Sequence, residues 1–330
     1  METGDRKYQW GTHRPFNDFG SHMRKRFNGL VQKVSIDAGF TCPNRDGSKG
    51  FGGCTFCNNE TFKPVYSQAS KTVSEQLKTG ISLFEAKHPG TRYLAYFQAY
   101  TNTYGEISKL IELYEEALAF PGVIGLIVGT RPDCLPDHLL DYFEELSRKC
   151  YVAIELGIES TKDETLNRVN RGHDFQSSID AIHRIASRNI PVGAHMILGL
   201  PGETKDDILG HAPIVSELPL SYLKLHQLQY VRGSKLGREY LKNPENFKVF
   251  ELEEYVDLVV EFVVRLRPGI VLERFSSQSP YYLLIAPAWK LKNHELSHLV
   301  EKRLQELNLW QGKYYNAELD SIPQISRINA

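Results

Sequence analysis

The chain has 330 residues, a formal net charge of −1, and 41% hydrophobic and 24% charged residues. This is the composition of an ordinary globular protein, large enough for one α/β domain or two smaller ones, and the near-zero charge excludes a global polyanion-binding surface. No apolar run approaches the ~20 residues of a membrane span, and the opening METGDRKYQW lacks a secretory apolar stretch. The expected location is therefore cytoplasmic, with no membrane partner. Thiols stay reduced there, and a cysteine cluster points to metal or catalysis rather than to disulfides.

Between Arg6 and Lys33 lie seven basic residues and a single acid, Asp18, interleaved with Tyr8, Trp10, Phe16, Phe19 and Phe27. The plain expectation is a segment that packs its rings on the core and solvates its charges. A sharper one is an RNA-contacting face with Arg24, Lys25 and Arg26 as substrate-binding residues. VQKVSID (31–37) alternates apolar and polar residues and predicts a first strand. The loop GFTCPNRDGSKGFGGCTFCN (39–58) follows, with Cys42, Cys54, Cys57 and five glycines. A capping box at Thr72 and Glu75 opens a helix to about residue 87. RYLAYFQA (92–99) predicts a second strand, and residues 107–120 a helix stopped by Pro121-Gly122.

VIGLIVG (123–129) is apolar enough for a strand buried on both faces. A helix over 136–149, a strand over 151–158, a capping box at Thr161 and Glu164 and a helix near 176–188 come next. A strand over 191–200, a helix over 205–217 and a sixth strand over 222–229 complete the series. Beyond residue 231 the pattern is mostly helical, over 251–266 and 290–308. Six strand-then-helix units imply a parallel sheet; composition leaves a doubly wound sheet and a full or partial barrel open. Either places ligands at the carboxyl ends of the strands. The unusual residues lie there: the cysteines, Gln98 to Thr101, Thr130 to Asp133, Glu159, and Gly199 to Gly202.

Three thiols are one short of a structural zinc site, and Cys134, Cys150 and His22 do not stand at ligand spacing. An iron–sulfur cluster with an open iron needs no fourth protein ligand, and the glycines suit close backbone approach to an anionic cluster. Spacing alone leaves both metals open. Among the remaining candidates, Glu155 either faces a barrel interior or packs with a buried cation. His173 and His195 are expected to be structural, Cys134 a small buried hydrophobe near the mouth, and Cys150 structural. Arg168 is expected at the surface, and Arg131 to pair with Asp133.

The three-cysteine loop after the first strand, with Phe56 before the last cysteine, resembles the radical S-adenosylmethionine (radical SAM) superfamily. QAYTNT (98–103), IELGIESTKDETLNRVNRGHD (154–174) and HMILGLPGET (195–204) are similar to its cofactor-contacting segments. TRPD, NRGHD and LKLHQLQYVRGSKL resemble the Elongator catalytic subunit, and the length and long cysteine spacing resemble a bacterial Elongator-like branch. The likeness implies an α/β fold, a parallel (β/α)6 partial TIM barrel over 31–235. A basic, aromatic segment over 1–30 precedes it, and a helical extension over 236–330 packs on it. It implies a [4Fe–4S] cluster on Cys42, Cys54 and Cys57. S-adenosyl-L-methionine would be bound by Gln98, Tyr100, Thr101, Glu159, Arg171 and Gly199, with a flavodoxin or ferredoxin-type electron donor. A 5′-deoxyadenosyl radical would then take a hydrogen from a substrate, expected to be a tRNA wobble uridine. The alternatives are a small metabolite as substrate, or a zinc-stabilised RNA-binding module. Two features depart from the superfamily: eleven residues rather than three separate Cys42 from Cys54, and Gln98-Ala99-Tyr100 stands in place of glycines.

Overall fold

The computed structural model describes residues 6–61 and 63–316. Seven parallel strands form one sheet in chain order: β1 (Val31–Ile36), β2 (Arg92–Phe97), β3 (Val123–Thr130), β4 (Tyr151–Glu159), β5 (Val192–Leu198), β6 (Tyr222–Gln227) and β8 (Val271–Arg274). Between β6 and β8 the short β7 (Tyr230–Val231) pairs antiparallel with β9 (Leu284–Ala286) as a separate ribbon. The sheet curls into a partial TIM barrel. Period-two alternation sorts its side chains. Val34, Phe97, Val128, Ile154, Met196 and Leu225 face outward into the main core. Leu94, Ile127, Ala153, Tyr222 and Val271 face inward.

The outer face is covered by α2 (Val73–Glu85), α3 (Ile107–Leu118), α4 (Asp137–Ser147), α6 (Phe175–Ala186), α7 (Lys205–Ser216) and α9 (Leu252–Arg265). The capping box predicted at Thr72 is formed, and a second one, Thr204 with Asp207, opens α7. The box predicted at Thr161 and Glu164 is not formed. Thr161 instead hydrogen-bonds the His211 ring at 2.7 Å, and the short α5 (Asp163–Arg168) starts without a side-chain cap. Two further helices are α8 (Lys235–Lys242), between β7 and β8, and α10 (Asn293–Glu306), after the last strand. No helix among the described residues is long and apolar enough to cross a membrane.

Of the elements the sequence did not announce, two shape the barrel itself. One is β8, a seventh strand inside the mostly helical region. At four residues, two of them charged, VLER carries too little apolar pattern to be read as a strand. The other is α1 (Phe19–Phe27), capped by Asp18, whose carboxylate accepts from Ser21 N at 2.9 Å. Met23 of α1 is buried among Leu94, Tyr151, Tyr222 and Val271, with Phe19 and Phe27 packed alongside. The helix thus plugs the amino-terminal end of the barrel. Leu272 N donates to Asn17 O at 2.7 Å, so the entering chain covers the edge of β8. The rings of the basic, aromatic stretch pack and Arg24, Lys25 and Arg26 stay exposed, while Lys33, at its end, turns into the barrel.

Candidate functional site

The loop between β1 and α2 brings Cys42, Cys54 and Cys57 to the carboxyl end of the sheet, where all three line one cavity. The eleven-residue stretch between the first two cysteines is folded on itself. Lys49 N and Gly50 N donate to Pro43 O, and Gly53 N donates to Asn44 O at 2.8 Å. It aims donors at sulfur: Asn44 Nδ2 lies 3.7 Å from Cys54 Sγ and Arg45 Nη1 lies 3.8 Å from Cys57 Sγ. The loop is fastened to the segment after α5. Thr55 N donates to Val169 O at 2.9 Å, Asn170 Nδ2 to Gly53 O at 2.8 Å, and Asn44 Nδ2 to Asn170 O at 2.5 Å. Arg131 clamps the same segment from β3, donating through Nη1 to Arg171 O at 2.8 Å. Its other nitrogens pair with Asp133 at 2.9 and 3.0 Å, the pairing expected from TRPD.

This scaffold holds Arg171 buried beside the thiols. Its Nη1 lies 3.4 Å from Cys54 Sγ, its Nη2 donates to Gly157 O, and Nη2 stands 3.5 Å from Glu159 Oε1. Its Nε is buried without a partner. Gly157 makes the approach possible, because a Cβ there would stand 2.7 Å from Arg171 Nη2. Glu159 and Tyr100 both hold left-handed backbone angles, φ +66° and +62°, strain of the kind found where strand ends present groups to a ligand. Burial raises the Glu159 carboxyl above its ordinary range, against the pull of Arg171 and Arg131.

Gln98, Tyr100, Thr101, Glu159 and Arg171 therefore share the cavity with the cysteines. Gly199 does not line it. Ile197 does, and Gly199 turns toward the Phe250 ring, 2.5 Å from where its Cβ would be. Arg24, Lys25 and Arg26 lie at the other end of the barrel, and Arg26 sits over the ring of Tyr151, the first residue of β4. Eight residues along that strand separate it from Glu159, about 26 Å at strand rise. His173 does not line the cavity. Cys134 is buried in a separate cleft with Asp133, and Cys150 Sγ contacts Leu146 O at 3.7 Å.

The cavity, about 1180 Å³ of empty volume open to solvent, continues down into the barrel to Tyr96, Glu155, His195, His226 and Arg274. Glu155 fulfils both expectations at once: it faces inward and binds buried cations. Lys33 Nζ lies 2.7 Å from Glu155 Oε1 and 2.5 Å from Glu273 Oε2. Lys224 Nζ lies 2.5 Å from Glu155 Oε2, 3.1 Å from Glu273 Oε1 and 2.9 Å from Tyr96 OH. His195 Nε2 lies 2.9 Å from Glu155 Oε2. Burial opposes charge on Glu155, but Lys224, Lys33 and His195 more than offset it and hold the carboxyl well below its usual range. Burial pulls Lys224 down to about 8 despite the two carboxylates. Burial and the nearby Lys224 charge bring His195 down to about 4. His195 is therefore expected to stay neutral at physiological pH. An NMR titration of its ring should give a midpoint near 4, and a midpoint near the ordinary 6.5 would show the network to be open to water.

Sequence reasoning missed Lys33, Lys224, His226, Glu273 and Arg274. The signal for two of them was present: Lys224 and His226 share one face of a strand whose other face is apolar.

Burial and the neighbouring Cys54 push the Cys57 thiol up to about 12, so three thiolates crowd together here favourably only around cationic charge. Among the described residues no group of three or more His, Cys, Asp or Glu side chains converges tightly enough to hold a single metal ion. Three sulfurs lining one cavity, with N–H donors aimed at two of them and the orphaned Arg171 Nε alongside, fit a sulfur-ligated cluster and an anionic co-ligand.

Known proteins were then compared. The Radical SAM superfamily domain matches residues 42–212, and the Radical_SAM C-terminal domain matches residues 220–306. Protein YtqA of Bacillus subtilis (strain 168) is 32% identical over 304 residues, covering 92% of this chain and 94% of its own. A tRNA-2-methylthio-N(6)-dimethylallyladenosine synthase of Marinomonas sp. (strain MWYL1) is 26% identical over 193 residues, 56% of this chain and 41% of that protein. Among solved structures, the archaeal Methanocaldococcus infernus Elp3 with an N-terminal deletion superposes with a TM-score of 0.64 at 17% identity. That match covers 85% of this chain and 64% of the archaeal one, and it is a likeness of fold.

Proposed function

The chain belongs to the radical SAM superfamily, and on that premise we propose that it modifies a tRNA nucleoside, a wobble uridine, by abstracting a hydrogen atom. The observation that carries the reading is the single cavity joining three cysteines, the Glu159–Arg171 pair and a polar barrel interior. Radical SAM enzymes bind a [4Fe–4S] cluster and S-adenosylmethionine, which together supply one-electron chemistry ending in hydrogen abstraction.

In this reading Cys42, Cys54 and Cys57 hold the cluster, and Asn44, Arg45 and Arg171 donate to their sulfurs. Arg171 has its unpartnered Nε for the methionine carboxylate, and Glu159 takes a polar group of the nucleoside. Gln98, Tyr100 and Thr101 lie across the cavity from them and serve the amino group. This assignment uses side-chain oxygens where the superfamily has glycines. Gly199 acts indirectly, by turning the chain after Ile197. His195, held neutral, does not serve as an acid. The electron comes from a flavodoxin or ferredoxin-type donor.

Support for a tRNA substrate comes from the rim. Phe51, Tyr281 and Tyr282 are exposed there, at 81%, 90% and 60%. Phe51 belongs to the cysteine loop and the two tyrosines follow Ser279, itself a cavity residue. Exposed rings on the segments that flank a cavity lined by Arg45 form the kind of surface on which unpaired bases stack. Arg24, Lys25 and Arg26, at the far end, would touch only the body of a large RNA. Release of 5′-deoxyadenosine from the reconstituted enzyme should rise about tenfold or more when tRNA completes the site. A rate unchanged by tRNA but raised by a pool of small metabolites would reassign the substrate.

A further inference from the structure

Arg274 is a half-buried charge without a counter-ion. The register between β6 and β8 slips at Leu223/Lys224, so that Leu223 pairs with Leu272 and Lys224 with Arg274. Glu273 is the extra residue of this bulge. Bulges re-aim side chains beside functional sites, and this one turns two consecutive residues to the same side. Glu273 reaches Lys33 and Lys224, while Arg274 lines the cavity. Among the described residues the guanidinium makes no hydrogen bond or ion pair, and its Nε is shielded from solvent without a partner. The neighbouring imidazoles, His195 and His226, lie 5.6 Å apart ring to ring. Burial first, and then nearby positive charge, keeps both neutral. Lys33, Lys224 and Arg274 therefore face only Glu155 and Glu273, each of which already bridges both lysines. One positive charge at the inner end of the cavity is left over.

A half-buried cation with no acid partner, one of its nitrogens already cut off from water, is answered best by an anionic ligand. We infer that Arg274 is the seat of a terminal carboxylate on the substrate, with His195 and His226 alongside. One missing negative charge matches a carboxylate. A phosphate monoester, carrying about −1.5 to −2, would overfill the site beside Glu155 and Glu273. A backbone phosphodiester, flanked by nucleosides on both sides, does not reach the inside of a barrel. The guanidinium fork suits a planar two-oxygen acceptor. This inference rests on the cavity being the substrate chamber, and it narrows the wobble uridine to one whose base already carries a carboxyl-bearing substituent at the deep end of the cavity.

The test is thermal unfolding of the full chain, as purified and after cluster reconstitution with S-adenosylmethionine. Acetate, inorganic phosphate and chloride are compared at matched ionic strength. Acetate near ten times its Kd should raise the midpoint by about 1–3 °C over chloride. Arg274→Gln should lose that shift and Arg274→Lys should keep part of it. Without acetate, Arg274→Gln should unfold no lower than the wild-type chain, since it removes an uncompensated charge. Equal acetate shifts in wild type and Arg274→Gln overturn the proposal. So does a phosphate shift larger than the acetate shift, or a drop in the Arg274→Gln midpoint that Arg274→Lys repairs. Failure to take up a cluster would overturn the radical SAM reading, yet leave the acetate response of the purified chain intact.

Discussion

Cys54→Ala is expected to prevent stable cluster binding and to lower 5′-deoxyadenosine release by at least about 10²-fold, since losing a mere outer-shell partner of a metal ligand already costs up to about that much. Cys54 is the most tightly surrounded of the three thiols. It is 6% exposed, packs with Phe56, Val169, Leu200 and Leu228, and receives donors from both Asn44 and Arg171. The substituted chain should still fold, because an alanine leaves only a small space there. Its visible absorbance after anaerobic reconstitution should be lost, and with it the electron paramagnetic resonance of the reduced protein. Cys134→Ala is the matched control. Cys134 is also buried, but in another cleft with its thiol against Asp133 at 3.8 Å, so cluster content and turnover should stay at the wild-type level. Equal loss in both variants would mean that the three-cysteine assignment is wrong.

Glu155→Ala is expected to cost about 3–5 kcal/mol of folding stability, the penalty for stripping one partner from a buried ion pair. Glu155 is 2% exposed and accepts from Lys33, Lys224 and His195. Removing it leaves two lysines sharing Glu273 alone. Urea unfolding measures the loss. Glu155→Gln, which keeps the shape and one acceptor, should fall between wild type and alanine. The same pairing has an acid limb. The Glu155 carboxyl is held below its unfolded value, so its contribution is complete above the unfolded pKa and disappears as pH falls through the folded one. A Glu155→Ala chain as stable as wild type would show the barrel interior to be solvated rather than a closed network.

The strands β1 to β6 were legible because each carries an apolar run or an apolar–polar alternation between turn signals, and because strand and helix patterns alternate. Their order along the sheet follows their order in the chain, so finding the cysteines and the later strand-end residues around one cavity required little beyond that alternation. The short β8 was not legible: half of its four residues are charged, and its place in the sheet depends on the partner β6. The first helix did leave a trace, Phe19, Met23 and Phe27 at four-residue intervals, hidden by the basic residues between them. That helix is why Arg24, Lys25 and Arg26 sit away from the cavity. The inner polar network was illegible for a different reason. Lys33, Glu155, Lys224 and Glu273 come from four strands, and only register brings them together; the bulge that turns Arg274 inward leaves no mark in the local sequence.

The most direct test of the account is metal and sulfide analysis of the anaerobically reconstituted chain. The account expects about four irons and four sulfides per chain, as a cluster of that type requires, and an absorbance spectrum altered by S-adenosylmethionine. About one zinc per chain, with no sulfide and no response to S-adenosylmethionine, would contradict it.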